Sequence, residues 1–220
     1  IYLISKMDSF NIAVFASGNG SNLQSLLETK KLNNEDSIDV SVVFSNKLDA
    51  YALKRAEKNN IPFFSVNPAS FENREKFDAA VLDKLKTFNF DLIVLAGYMR
   101  ILSKEFLREF EGKIINLHPS LLPKYPGLNT HQKVVDNKDS HHGATVHFVD
   151  EGLDTGQIIG FSKFKIKEYE IHYLEAKVHE IEHKLLPLIC SLIKNKRLKF
   201  KNNVLEIDNI EYPDGKEFNF

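Results

Sequence analysis

The stretch Phe10-Asn-Ile-Ala-Val-Phe-Ala-Ser-Gly-Asn-Gly-Ser-Asn22 decides the fold, because it joins a strand pattern to a helix pattern through a glycine-rich loop. Residues 10–16 are mostly apolar, which is typical of a strand buried on both faces of a parallel sheet. A helical pattern begins at Asn22. A strand, a tight loop and a helix in this order open a β-α-β unit, so the sequence predicts an α/β fold.

The same alternation continues along the chain. Strands are predicted at 10–16, 40–44, 62–66, 91–96 and 113–117, and helices at 22–31, 49–59, 74–88 and 103–110. This order predicts one open, mostly parallel, twisted sheet with right-handed crossovers and helices on both faces. Two further strands at 143–149 and 157–166 and a helix at 171–194 follow. Short strand-like pieces at 204–218 surround Pro213-Asp214-Gly215, which predicts a hairpin turn there.

Length and composition favour one globular domain. The 220 residues carry a formal net charge of -1, so no strongly basic field indicates nucleic-acid binding. The apolar runs are shorter than the roughly 20 residues of a membrane span, and we predict a cytoplasmic protein without membrane contact. Residues 1–9 are predicted to be an N-terminal extension, either native or an artefact of the chosen start. Residues 10–195 form the main unit, and 196–220 extend the same domain.

The loop from Ser17 to Asn22 has the composition of an anion site. Backbone N–H groups at a helix start bind anions, and glycines allow close approach. A plain tight turn is an equally good interpretation of the loop alone. The loop lacks the lysine of a Walker A motif, and Leu23 replaces the third glycine of a dinucleotide fingerprint. The remaining interpretation is a site for a monophosphate, bound by the backbone amides, Ser21 and Asn22.

Asn116 and His118 end the strand at 113–117 and share one face of it, because they are two residues apart. An amide can donate to a developing oxyanion, and an imidazole can carry a proton near neutral pH. Asp154, in a glycine-flanked turn, can orient and charge that imidazole. No nucleophile accompanies this trio, which predicts direct transfer between two bound substrates. The segment 121–142 is long and turn-prone, and we expect it to cover the site.

A metal site is not predicted. His141, His142 and His147 are near one another in sequence, but adjacent side chains point to opposite sides of an extended chain. No His-x-Glu motif or cysteine pair accompanies them.

Six segments together resemble the glycinamide ribonucleotide formyltransferase family, which acts in purine synthesis. They lie at 17–23, 44–47, 95–102, 116–131, 142–147 and 150–159, and the resemblance spans about 10–195. It implies a single formyltransferase-like catalytic domain at 10–195. It also implies transfer of a formyl group from 10-formyltetrahydrofolate, a co-substrate, to the amine of 5'-phosphoribosylglycinamide. Asn116, His118 and Asp154 match the catalytic residues of that family.

The resemblance also implies binding roles. The nucleotide would be bound by Gly20, Ser21, Asn22, His179 and Glu182, although His179 stands where a glutamine is expected. The folate would be bound by Arg74, Met99, Arg100, Ile101, Leu102, Asn116, Asp150, Glu151, Gly152, Leu153 and Asp154. The implied partners are these two small molecules, with no nucleic acid, and the protein would be a monomer or a homodimer.

Related enzymes leave two alternatives open. The methionyl-tRNA formyltransferases share the Asn-x-His pair but normally carry Arg-Gly-Ala where this chain has Tyr125-Pro126-Gly127. The formyltetrahydrofolate deformylases have the same trio and hydrolyse the formyl group, so this hydrolase is the leading alternative. A non-catalytic nucleotide-binding module is the other, and it would need the glycine loop but not the trio.

Overall fold

The structure, a computed structural model, describes residues 10–32, 38–201 and 204–220 as one α/β domain. The predicted extension at 1–9 lies outside these residues. The strands are β1 (Asn11–Phe15), β2 (Asp39–Ser45), β3 (Phe63–Ser65), β4 (Leu92–Leu95), β5 (Ile114–His118), β6 (His141–Phe148), β7 (Ile158–Lys165), β8 (Leu198–Lys201), β9 (Val204–Ile207), β10 (Ile210–Tyr212) and β11 (Lys216–Glu217). The helices are α1 (Ser21–Leu32), α2 (Tyr51–Lys58), α3 (Arg74–Leu85), α4 (Lys104–Glu109), α5 (Thr130–Asp136) and α6 (Ile171–Lys194).

Eight strands form the main sheet in the order β11-β7-β6-β5-β4-β1-β2-β3. The run from β3 to β5 is parallel throughout, and β6 pairs antiparallel with both β5 and β7. The prediction of a mostly parallel sheet is therefore confirmed. Strands β8, β9 and β10 form a separate three-stranded antiparallel sheet.

Helices cover both faces of the sheet, as predicted. Alternate residues of a strand point to opposite faces, so Ile12 and Val14 of β1 pack with α1, α2 and α6. Ala13 and Phe15 pack on the other face with α3 and α4. Among the described ranges, no helix has both the length and the apolar character needed to cross a membrane.

The strand order reverses direction between β1 and β4. From β1 the chain adds β2 and β3 on one side, and then returns to add β4 and β5 on the other. Loops therefore diverge at the carboxyl ends of β1 and β4, where the Ser17 N–H donates to the Gly97 carbonyl at 3.0 Å. Such a switch point leaves a crevice in which α/β proteins bind ligands.

The predicted hairpin at Pro213–Gly215 is wrong. The turn is tight, since the Gly215 N–H donates to the Tyr212 carbonyl at 3.1 Å, but it leads from one sheet to the other. Strand β11 then pairs in parallel with β7 at the edge of the main sheet. The actual hairpin turn is Asp208-Asn209 between β9 and β10, with φ of +54° and +64°. Turn residues encode a local reversal, but the strand that receives the chain is chosen by packing.

The segment 121–142 contains the short helix α5, which the sequence did not predict. Its residues Thr130 and Val134 are buried, and Val134 packs with Ile166 and Leu174. This burial stabilises the helix. The sequence did not predict it because the residues on either side are polar and turn-prone.

Candidate active site

The loop after β1 leads into α1, whose first backbone N–H groups make no hydrogen bond within the helix. The first hydrogen bond within α1 runs from the Gln24 N–H to the Gly20 carbonyl at 3.0 Å. The N–H groups of Ser21, Asn22 and Leu23 precede this bond, so they have no partner within the helix. Gly20 has φ +75°, and a Cβ there would lie 2.8 Å from the Ala52 Cβ. Glycine thus lets the loop pass close to α2.

Three of the predicted nucleotide residues meet beside this loop. The buried Asn22 donates through Nδ2 to Glu182 Oε2 at 3.0 Å, and His179 Nε2 lies 3.9 Å from the same oxygen. Asn22 Oδ1 is buried and has no hydrogen-bond partner among the described residues. Burial raises the pKa of the Glu182 carboxyl, against the lowering by Asn22 and His179. Asn22 therefore keeps an unsatisfied acceptor beside the buried Glu182 carboxyl.

Asn116, His118 and Asp154 form one cluster, as the trio predicted from the sequence requires. Asp154 Oδ1 lies 3.3 Å from Asn116 Nδ2, and Asp154 Oδ2 lies 3.4 Å from His118 Nδ1. Asp154 comes from the turn between β6 and β7 and has φ +54°. The Gly127 N–H donates to the same Asp154 Oδ2 at 2.7 Å, which helps to hold the carboxylate in place.

Burial and charge oppose each other in this cluster. Burial acts to raise the pKa of Asp154, but hydrogen bonds from His147 and the Gly127 N–H outweigh it, so the pKa lies below its usual value. For His118, burial lowers the pKa below its ordinary value, although the Tyr125 carbonyl and Asp154 both act to raise it. Asp154 does act to raise the pKa of His118, as expected, but the lowering of this pKa by burial is larger.

His147 is a member of the cluster that the sequence did not identify. It pairs with Asn116 across β5 and β6, and its Nε2 lies 3.2 Å from Asn116 Nδ2 and 3.5 Å from Asp154 Oδ1. Its Nδ1 lies 2.7 Å from the Phe148 carbonyl, which makes Nδ1 a donor. The spacing Thr145-x-His147 gives the shared face, but only the strand register places it beside Asn116.

The same contacts correct the expected geometry of Asn116. The sequence suggested that its amide is available to donate to an oxyanion. Instead Asn116 Nδ2 contacts both Asp154 and His147. At least one of these contacts must be exchanged for a ligand oxygen if the amide is to donate to it.

Most of the predicted folate residues lie in two segments, one that follows β4 and the turn at 150–154. Helix α4 begins just after the first segment and is linked to this turn, because Lys104 Nζ lies 2.7 Å from Glu151 Oε2. The side chains of Met99, Ile101 and Leu153 are half exposed or more, and are free to contact an apolar ring system.

Some of these residues have structural roles that limit what they can offer. Leu102 is buried in the core with α3 and α4, so only its backbone can face a ligand. Asp150 Oδ1 accepts from the Gly152 N–H at 3.0 Å and from Thr155 Oγ1 at 2.8 Å, which shapes the turn. A Cβ at Gly152 would collide with Thr155 Oγ1, so glycine is required there.

Two arginines lie near this surface and share one acidic neighbour. Arg74 begins α3, and the Arg100 guanidinium lies 4.7 Å from the Phe77 ring centroid. The Asp78 carboxyl is buried, which raises its pKa, although the Ser103 N–H, Arg100 and Arg74 act to lower it. Arg100 Nε is buried and without a partner in the described part of the chain.

A histidine pair links helix α5 to strand β6. His131 Nδ1 lies 2.9 Å from His142 Nε2, and His142 is 1% exposed. Burial, and then the nearby His131, lower the pKa of His142 to about 4, while Asp139 acts to raise it. The pair is therefore built for one shared proton and not for two charges.

This pair predicts a loss of stability at acidic pH. His142 has a pKa of 6.5 in the unfolded chain and about 4 in the folded protein. Its contribution to the free energy of unfolding is therefore fully present above pH 6.5 and is lost as the pH falls towards 4. The shift corresponds to about 3 kcal/mol. Urea unfolding at pH 7 and pH 4.5 should show a smaller acid loss in His142→Gln than in the wild type. The exposed His172→Gln is the control, and an equal acid loss in all three proteins would contradict the prediction.

Within the described ranges, no group of three or more His, Cys, Asp or Glu side chains is placed to hold a metal ion. His141 is exposed while His142 is buried, so adjacent histidines do point apart.

Several known proteins similar to this chain are named phosphoribosylglycinamide formyltransferase. The formyl transferase family model matches residues 10–190. Phosphoribosylglycinamide formyltransferase of Haemophilus influenzae is 43% identical over 93% of this chain and 94% of its own. The enzyme of that name from Escherichia coli is 40% identical over 92% and 96%. A solved phosphoribosylglycinamide formyltransferase from Coxiella burnetii, in complex with CHES, superposes with a TM-score of 0.89 at 36% identity, over 96% of this chain and all of its own.

Proposed function

The chain belongs to the formyl transferase family, and from this premise we propose that it formylates 5'-phosphoribosylglycinamide. The formyl group comes from 10-formyltetrahydrofolate, and the products are formylglycinamide ribonucleotide and tetrahydrofolate, in the synthesis of purines. One observation carries the proposal. Asn116 and His118 of β5, with Asp154 against them, lie two strands from the glycine loop after β1. Strands are about 4.8 Å apart, so roughly 10 Å separates these strands and suits a nucleotide that spans both.

The chemistry follows from the donors and acceptors of the cluster. The substrate amine attacks the formyl carbon, and the carbonyl electrons move to the oxygen of a tetrahedral intermediate. His118 Nε2 lies 2.9 Å from the Tyr125 carbonyl, and the formyl oxygen would replace that carbonyl as its acceptor. The amide of Asn116 would supply the second donor. As the intermediate collapses, the bond to the folate nitrogen breaks, and that nitrogen takes up the proton that the amine loses.

Asp154 is proposed to hold and relay this proton. Its pKa lies below the usual value, so it is a carboxylate near neutral pH and can accept a proton from the ammonium through water. It also accepts from His118 Nδ1 in the protonated state of that ring, which keeps Nε2 as a donor. With no nucleophile in the cluster, the reaction needs both substrates bound together.

The binding roles divide between the two ends of the crevice. The amides of Gly20, Ser21 and Asn22 would bind the phosphate, with Glu182 and His179 near the ribose. The folate would lie between the backbone of 99–102 and the turn at 150–154, with Arg74 and Arg100 nearby. We further propose that the protein works in the cytoplasm as a monomer or homodimer, and that no metal, nucleic acid or membrane takes part.

The deciding experiment compares folate turnover with and without the nucleotide. We expect tetrahydrofolate to form, measured spectrophotometrically, only when phosphoribosylglycinamide is present, because the amine is the attacking group. A chelator should leave the rate unchanged. Equal rates with and without nucleotide would identify a deformylase, and no turnover in either case would identify a non-catalytic module.

A further inference from the structure

The guanidinium of Arg55 on α2 donates hydrogen bonds to the glycine loop and to α1. Its Nε–H donates to the Asn19 carbonyl at 2.9 Å, and its Nη2–H donates to Asn19 Oδ1 at 2.9 Å. Its Nη1–H donates to Gln24 Oε1 of α1 at 3.1 Å. A guanidinium is planar and its donors have fixed directions, so three such bonds define one orientation of the loop against both helices.

Neighbouring contacts keep the guanidinium in this position. Its central carbon lies 4.9 Å from the centroid of the Tyr51 ring, which provides a flat surface for stacking. The Gln24 side chain is itself oriented, because its Nε2 donates to Glu28 Oε1 at 3.0 Å and leaves its oxygen for Arg55. The Ala52 N–H donates to the Gly18 carbonyl at 3.1 Å and fixes the peptide group that precedes Asn19.

The bond to the Asn19 carbonyl has a consequence for the anion site. This carbonyl and the N–H of Gly20 belong to one planar trans peptide unit, in which the two groups point in opposite directions. Because Arg55 holds the Asn19 carbonyl towards α2, the Gly20 N–H points away from α2. A charged donor on the carbonyl also polarises the peptide and strengthens its N–H as a donor.

We propose that Arg55 is a positioning residue for phosphate binding, acting through the peptide that joins Asn19 to Gly20. Its charge lies behind the loop, and it adds a fixed positive group to a loop that has no cationic side chain of its own. This inference rests on the proposed function, because it assumes that the loop binds the phosphate of the nucleotide.

The test compares Arg55→Met and Arg55→Lys with the wild-type enzyme. Methionine keeps the apolar stem and removes the charge, while lysine keeps the charge and removes the planar fork. We expect both variants to raise the KM for phosphoribosylglycinamide about tenfold, with kcat and the KM for formyl-folate changed less than twofold. Inorganic phosphate should weaken as a competitive inhibitor by the same factor. Lys54→Met, an exposed neighbour on α2, is the control and should match the wild type.

The outcomes separate this inference from the proposed function. A wild-type enzyme whose folate turnover ignores the nucleotide refutes the function itself. A nucleotide-dependent enzyme in which Arg55→Met leaves the nucleotide KM unchanged refutes only the positioning role. A normal nucleotide KM in Arg55→Lys would overturn the role of the fork. Equal increases in both KM values would indicate general structural damage and would also overturn the proposal.

Discussion

Asp154→Asn is expected to lower turnover by about 10²-fold or more, the scale for losing a positioned acid or base. The carboxylate accepts from the Gly127 N–H at 2.7 Å and lies 3.4 Å from His118 Nδ1 and 3.3 Å from Asn116 Nδ2. An asparagine keeps the size, but it removes the charge and presents one oxygen to these donors. It also tolerates the left-handed backbone at φ +54°, so the variant should fold.

A double variant tests whether Asp154 and His118 act together. His118→Asn should lose a similar factor, and the combined variant should lose much less than the product of the two losses, because the pair works as a unit. Steady-state kinetics measure the losses, and calorimetric titration should show nucleotide affinity close to that of the wild type in all three proteins. Near-normal turnover in Asp154→Asn, or fully multiplicative losses, would refute the assigned roles.

Gly20→Val is expected to raise the KM for the nucleotide by about 10²-fold and to leave the KM for formyl-folate nearly unchanged. The sequence suggested that a side chain here would occupy the phosphate position. The structure gives a different reason, because a Cβ at Gly20 would meet the Cα and Cβ of Ala52 at 2.9 and 2.8 Å. The loop would have to move away from α2, and its backbone N–H groups would no longer be oriented towards the phosphate. Losing two charge-assisted hydrogen bonds of about 1.5 kcal/mol each accounts for this factor.

Gly112 supplies the matched control for backbone strain. It has φ +71°, close to the +75° of Gly20, but a Cβ there would meet nothing within 4 Å. Gly112→Val should therefore show the cost of a β-branched residue in the left-handed region without any effect on the nucleotide. A nucleotide KM in Gly20→Val no higher than in Gly112→Val would reduce the glycine loop to a structural turn.

The sequence predicted the parallel half of the sheet and its helices closely, because apolar periodicity is a local property. The run 92–96, for example, consists of consecutive apolar residues that only a doubly covered strand can bury. The helix α5 and the destination of the chain after Pro213 were missed. Both depend on contacts with distant residues, namely Ile166 and Leu174 for α5 and strand β7 for β11.

The candidate site divides in the same way. Asn116 and His118 could be found from one strand, since two-residue spacing fixes their common face. His147 could not be assigned, because its partner is set by the antiparallel register of β5 and β6. The pKa of His118 also escaped prediction. Proximity to Asp154 suggests an upward shift, but the extent of burial, which outweighs it, is a property of the folded chain.

The sequence by itself determined the strands and helices of the parallel half, the glycine loop, the strand-end pair and the family, because residue type and short spacing carry each of them. Only the tertiary structure decided the strand order, the contact between Asp154 and His147, and the hydrogen bonds between the glycine loop and Arg55. Asn19 and Arg55 are 36 residues apart in sequence, and Asn22 and Glu182 are 160 apart. Contacts over such separations form only when the sheet and its helices pack, so local patterns do not contain them.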